Sequence, residues 1–225
     1  MRATCRISFC LIVSALASAG VSLGQSRASV TATGEATVSA NPDQATISVS
    51  VSNTASTAID ASNQNAAQTS AVIAALRGVM GSSDELKTVA YSLYPNYNNV
   101  GTLTGYTATN TIQVTTGDLA TTGKLIDTAT LGGATRVQSL SFGLKNSQPL
   151  RAQALKLAAA QARTQVEAIA AGLTVKLGNV IAATDGSSVS PVVGTGLPGT
   201  SVATPIVTGT VQVTANVRLQ IEIVP

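Results

Sequence analysis

Ala45-Thr-Ile-Ser-Val-Ser-Val-Ser52 alternates apolar and hydroxyl side chains, and Ala58, Ala61, Asn65, Thr69, Val72, Leu76 and Val79 then recur at steps of three and four. A period of two places Ala45, Ile47, Val49 and Val51 on one face of a half-buried strand. A period near 3.6 places the second set, widened by Ile73 and Met80, along one stripe of a helix of about 24 residues. Ser56 or Thr57 can cap its start and Gly81 its end. Its outer face carries Asn63, Gln64 and Gln68, so the helix surface is unusually uncharged.

Upstream, the β-branched run Val30-Thr-Ala-Thr-Gly-Glu-Ala-Thr-Val38 leads into Asn41-Pro42-Asp43, a turn signal, and predicts an antiparallel hairpin with the strand that follows. Downstream, Leu86 to Leu93 reads as a strand, and Tyr94 to Gly101 as a loop or a bulged strand. Tyr106 to Thr115 is a long strand with a threonine face. Asp118 can cap a helix through about Thr130, with Leu119, Ile126 and Ala129 inward, and Gly132-Gly133 stops it. Ala134 to Leu144 is a strand carrying Val137, Leu140 and Phe142. Gln148 to Ala171 is a second long helix, rich in Ala, which favours helix. Its buried stripe is expected at Leu150, Ala154, Leu157, Ala158, Ala162, Val166, Ile169 and Leu173, with Gly172 as the stop. Leu177 to Thr184 is a short strand. Residues 185–209 are Gly, Ser, Pro, Val and Thr without a period and are expected to be a flexible loop. Val211 to Ile223 alternates without a break, and so long a strand needs a partner.

The expected fold class is α+β: antiparallel sheets with two long helices, in which a β-β-α-β outer part is closed by C-terminal strands around an inserted β-α-β-α unit. The expected boundaries are 25–99 plus 174–225 for the outer part and 100–173 for the inserted part. Residues 1–24 are expected to be a cleaved secretory signal. Arg2 and Arg6 form its basic region, Ile7 to Leu16 its apolar region, and Ala15-Leu16-Ala17 and Ala17-Ser18-Ala19 its cleavage patterns. A periplasmic location follows from that reading. Cleavage would leave no transmembrane segment, since a span takes ~20 apolar residues.

Composition narrows function by exclusion. The 225 residues include no His and no Trp, and only 10% are charged. His-based triads and His-ligated metals are excluded. Both cysteines, Cys5 and Cys10, lie in the expected signal, which removes disulfides and thiolate chemistry as well. Loss of Arg2 and Arg6 takes Lys+Arg from 13 to 11 against 10 Asp+Glu, so the net charge falls from +3 to +1. The remaining cations are scattered, which argues against nucleic acid as a partner. No cofactor and no metal are expected. The adjacent carboxylates Asp84 and Glu85 diverge on a strand; no Gly-x-Ser-x-Gly elbow occurs; Lys124 or Lys156 could meet a Ser only through the fold. Gly132-Gly133 follows a helix and precedes a strand, the reverse of a phosphate cradle. No catalytic residue is therefore assigned. Tyr94, Tyr97 and Tyr106 hold three of the four tyrosines. They are candidates either for an interface anchor or for a peptide- or glycan-binding platform, or else simply cover the junction between the two parts. Because an aromatic-poor core is thin, a homo-oligomer is expected as an added source of burial.

The ordered segments resemble the SIMPL-domain family of bacterial secreted or periplasmic proteins. The likeness rests on Val30 to Asp43, on Tyr91-Ser-Leu-Tyr-Pro-Asn-Tyr97, and on Leu103-Thr-Gly-Tyr-Thr-Ala-Thr-Asn110. It continues through Leu125-Ile-Asp127, Gly133-Ala134, Arg151 to Leu173, Leu177-Gly-Asn179 and Pro205 to Val217. The resemblance implies a periplasmic α+β protein, assembly into rings or barrels in some members, a link to oxidative-stress defence, and no established catalytic residues. This chain is poorer in charge than that family leads one to expect. Met80 is the sole Met outside the expected signal and Cys is absent there, so a stress role would be indirect.

Overall fold

In the computed structural model the alternation around Ala45 becomes β2 (Gln44–Ala55), and its alternate residues Ile47, Val49 and Val51 are buried. The structure describes residues 27–190, 192–193, 195–196 and 206–224. β2 lies between β4 (Leu103–Thr116) and β5 (Arg136–Gly143), and β3 (Glu85–Tyr97) pairs with the outer side of β4. All of these pairings are antiparallel. α1 (Ala58–Arg77) and α2 (Thr122–Leu131), the latter preceded by a 3-10 turn at Leu119–Thr121, cover one face. Val72, Leu76, Leu125 and Ala129 close a core there against Ile47, Val49, Val51, Ile112 and Val114. Each of the Val, Leu and Ile side chains among them, once buried, contributes about 1.5–3 kcal/mol.

α1 is capped by Thr57, whose hydroxyl accepts from the Asp60 amide at 3.2 Å. It buries Ala61, Asn65, Thr69, Val72 and Leu76, the expected stripe, but stops at Gly78 rather than Gly81. The Asn65 amide donates to the carbonyls of Val51 (2.9 Å) and Ala108 (3.1 Å), tying the helix to two strands. Gln68 is not on the outer face: its Oε1 accepts from Asn53 at 2.6 Å and its Nε2 donates to the Gly133 carbonyl at 2.6 Å. The polar end of a long side chain thus bonds the turn after α2 (φ 107° at Gly133), which periodicity alone does not show.

The second sheet joins β1 (Ser29–Ala40), β11 (Val211–Val224) and β6 (Lys176–Asp185), with β7 (Ser188–Ser190) also on β11. α3 (Gln148–Leu173) lies along β1 and β11. It buries Ala154, Ala158, Ala162, Val166 and Ala170, a stripe with a four-residue step. Leu157, Ile169 and Leu173, expected inside, are exposed, because only this narrow line of small side chains meets the sheet. Gly172 does not end α3; Thr174, in the left-handed region at φ 56°, does. Arg151 in the first turn of α3 bonds Asp185 at the end of β6 at 2.9 Å, and that bond holds the Asp185 carboxyl below its usual value.

Expectations about strand pairing and part boundaries are corrected as well. β1 and β2 do not form a hairpin: β1 pairs along its length with β11, from Ser29↔Glu222 to Ala40↔Val211. The link between them turns the chain from one sheet into the other. Pro42 lacks an amide for a ladder, and Asp43 bonds the end of β5 through the Gly143 carbonyl and the Lys145 amide. The sheets also divide the chain otherwise than at 100–173. Residues 44–143 form one sheet with α1 and α2, while α3 belongs with β1, β11 and β6. The inserted unit therefore begins at β2 and ends at β5, because the long-range register of β2 with β4 overrides order along the chain. Within 185–209, Asp185 still belongs to β6 and Ser188–Ser190 pairs with β11. β8 (Val192–Val193) pairs with β5, and β9 (Thr195–Gly196) with β10 (Ile206–Val207). Residues 191, 194 and 197–205 of that expected loop, and the expected signal at 1–24, lie outside the described residues.

Candidate functional site

On the face of the β3-β4-β2-β5 sheet turned away from α1 and α2, the central strands β2 and β4 present almost only hydroxyls. Alternation that buries Ile47, Val49 and Val51 turns Thr46, Ser48, Ser50, Ser52 and Thr54 the other way. Their cross-strand partners on β4 are Thr115, Gln113, Thr111, Thr109 and Thr107. Hydroxyls pair across the ladder at Ser52–Thr109 (3.0 Å) and Thr54–Thr107 (2.8 Å).

At one end this face dips into a groove of about 310 Å³, lined by Ser50, Ser52, Ser92, Tyr94, Thr109, Thr135, Arg136 and Gln138. Four strands, with the residue before β5, build it. Ser92 and Tyr94 come from β3, and Arg136 stands opposite Ser50. A register shift in β5 leaves Gln138 without an opposite residue and brings it onto the groove as well. Thr135 is fully engaged: its hydroxyl donates to the Ser50 carbonyl (3.0 Å) and accepts from the Ser52 amide (3.1 Å). The Ser50 hydroxyl is different. The residue is 2% exposed, and its Oγ has no hydrogen-bond partner among the described residues. An unmet buried hydroxyl costs about 1–3 kcal/mol. Arg136 takes part in none of the ion pairs among the described residues, and no carboxylate lines the groove.

The three candidate tyrosines do not converge. Tyr94 lines the groove. Tyr106 faces Ala55 across the ladder, in phase with buried Ala108 on the helix side. Tyr97 lies beyond a register shift at the end of β3 and is 62% exposed. Tyr91, which was not singled out from sequence, bonds Ser62 of α1 through its hydroxyl at 3.0 Å. Arg136 and Gln138 were also missed; only the bulge in β5 brings them to the groove, and it has no local sequence signature.

Other candidates separate in space. The Asp84 carboxylate accepts from the Gly81 amide at 2.8 Å and closes a turn, while Glu85 pairs with Lys87 at 3.5 Å. Lys124 lies on α2 and Lys156 on α3, in different halves. Among the described residues no three His, Cys, Asp or Glu side chains are grouped as a metal site would need, and no helix is long and apolar enough to cross a membrane.

The SIMPL family model, described as a protein of unknown function (DUF541), matches residues 30–221. The chain is 28% identical over 162 residues to the 26 kDa periplasmic immunogenic protein of Brucella melitensis, covering 68% of this chain and 65% of that one. It is also 28% identical over 154 residues to the uncharacterized protein YggE of Escherichia coli K12, covering 67% of this chain and 63% of that one. The chain thus spans slightly less than two thirds of either relative.

Proposed function

The chain belongs to the SIMPL family, and from that premise we propose that it is a periplasmic, non-enzymatic protein that self-associates and protects the cell envelope, including under oxidative stress. One observation carries the association. Among the described residues β3 is an edge strand, paired only with β4, and it leaves Val89, Tyr91, Leu93 and Tyr97 between 41% and 62% exposed. An apolar edge of this length in water is a template for a second chain. Pro95 lies within it and removes one ladder donor, so side chains supply much of the contact. The occupant is a second copy of this chain. Light scattering on the purified protein is expected to give a mass of several chains, lowered by Tyr97→Ala and by Val89→Lys. A monomeric parent protein sinks the proposal. The protective role follows from assembly: cells lacking the protein are expected to survive peroxide less well, and the Val89→Lys variant to restore survival poorly.

A second reading is favoured by the groove: a peptide or glycan held beside Tyr94. The half-exposed ring borders the groove that holds the Ser50 hydroxyl, without a hydrogen-bond partner among the described residues, and the Arg136 guanidinium, which takes part in none of their ion pairs.

A further inference from the structure

We propose that the groove is a binding site for a sugar unit carrying a carboxylate. This rests on the second reading above and narrows it to one class of ligand. The floor is an array of hydroxyls from Ser50, Ser52, Ser92 and Thr109, spaced by the ladder, which suits the several hydroxyls of a pyranose. Tyr94, at 49% exposure, presents a ring at the rim on which the apolar face of a sugar can lie. Arg136 gives the site one cation with no carboxylate to neutralise it among the described residues, and a guanidinium binds a carboxylate bidentately. Gln138 adds an amide donor and acceptor beside it. Ser50 also lines this space, and its buried hydroxyl has no hydrogen-bond partner among the described residues. The groove's volume of about 310 Å³ is more than a bare phosphate fills and lies at the low end of the ~300–1,000 Å³ typical of small-molecule sites. One cation, an aromatic rim and a neutral hydroxyl floor together select a singly charged sugar over a polyanion.

The test is an amide NMR titration of the whole purified protein with galacturonate, galactose and inorganic phosphate. Galacturonate is expected to shift Ser50, Ser92, Arg136 and Gln138. Galactose is expected to bind about tenfold more weakly, the worth of one charge-assisted contact. Arg136→Gln should abolish that preference with the spectrum otherwise unchanged, and Tyr94→Ala should weaken both sugars. Phosphate shifting the same residues as strongly as galacturonate would overturn the proposal, leaving a simple anion pocket. Shifts of Tyr94 and its groove neighbours with an alanine tripeptide but not with galacturonate would also overturn it while keeping the second reading. Silence towards galacturonate, galactose and an alanine tripeptide would end both, and assembly measured by light scattering would be untouched by any of these results.

Discussion

A methyl group on Gly34 would stand 2.0 Å from the Ala158 carbonyl oxygen and 2.4 Å from the Ala162 amide nitrogen. Both are helix backbone atoms, which cannot swing aside as a side-chain tip can. The contact of α3 with its sheet thus depends on the absence of a Cβ in β1 as much as on the small residues of the helix. Gly34→Ala is expected to lower the free energy of urea unfolding by about 3 kcal/mol, the upper range for overpacking. Gly172→Ala, where an added Cβ meets nothing within 4 Å, is the control: it should gain about 0.5–1 kcal/mol from helix propensity. Equal effects of the two substitutions would show that α3 is not seated on Gly34.

At the scale of the element, α3 ends on Thr174 in the left-handed region, a conformation that costs a residue with a Cβ roughly 1–2 kcal/mol. Thr174→Gly is expected to raise stability by about 1 kcal/mol and to slow amide exchange in the last turn; a loss would place the value of Thr174 in its side chain instead. Sequence pointed to Gly172 because Gly is the usual stop, whereas the observed end is fixed by where β6 must begin. The same contrast runs through the fold. Helices and strands were legible because their periods are local, and α1 buried Ala61, Asn65, Thr69, Val72 and Leu76 as its spacing demanded. Strand partners were not legible. β1 is joined to β2 by three residues, yet pairs with β11 at the far end of the chain, and no local pattern encodes that. The candidate site divides likewise. Alternation showed the hydroxyl face of β4, but Arg136 and Gln138 reach the groove only through a bulge whose register belongs to the partner strand.

Over the whole molecule, the cores do not mix. Ile47, Val49, Val51, Val72, Leu76, Ile112, Val114, Leu125 and Ala129 form one cluster, all within residues 44–143. The other two, around Ala158 with Val213 and around Val166 with Ile221, lie wholly in the α3 half. Between the halves, the Asp43 bonds to Gly143 and Lys145 clamp together the two chain crossings that follow β1 and β5, and β8 pairs briefly with β5. Free energy that is not shared between two cores does not make them unfold together. Native-state hydrogen exchange is therefore expected to resolve two cooperative units. Leu76→Ala, which empties a fully buried site, should lower the opening free energy of residues 44–143 by about 2–5 kcal/mol. It should leave the amides of β1, β11 and α3 nearly unchanged, and Val166→Ala should do the reverse. If either substitution destabilises both sets of amides equally, the halves are energetically one, and the polar corner at Asp43 couples them more strongly than its few hydrogen bonds account for.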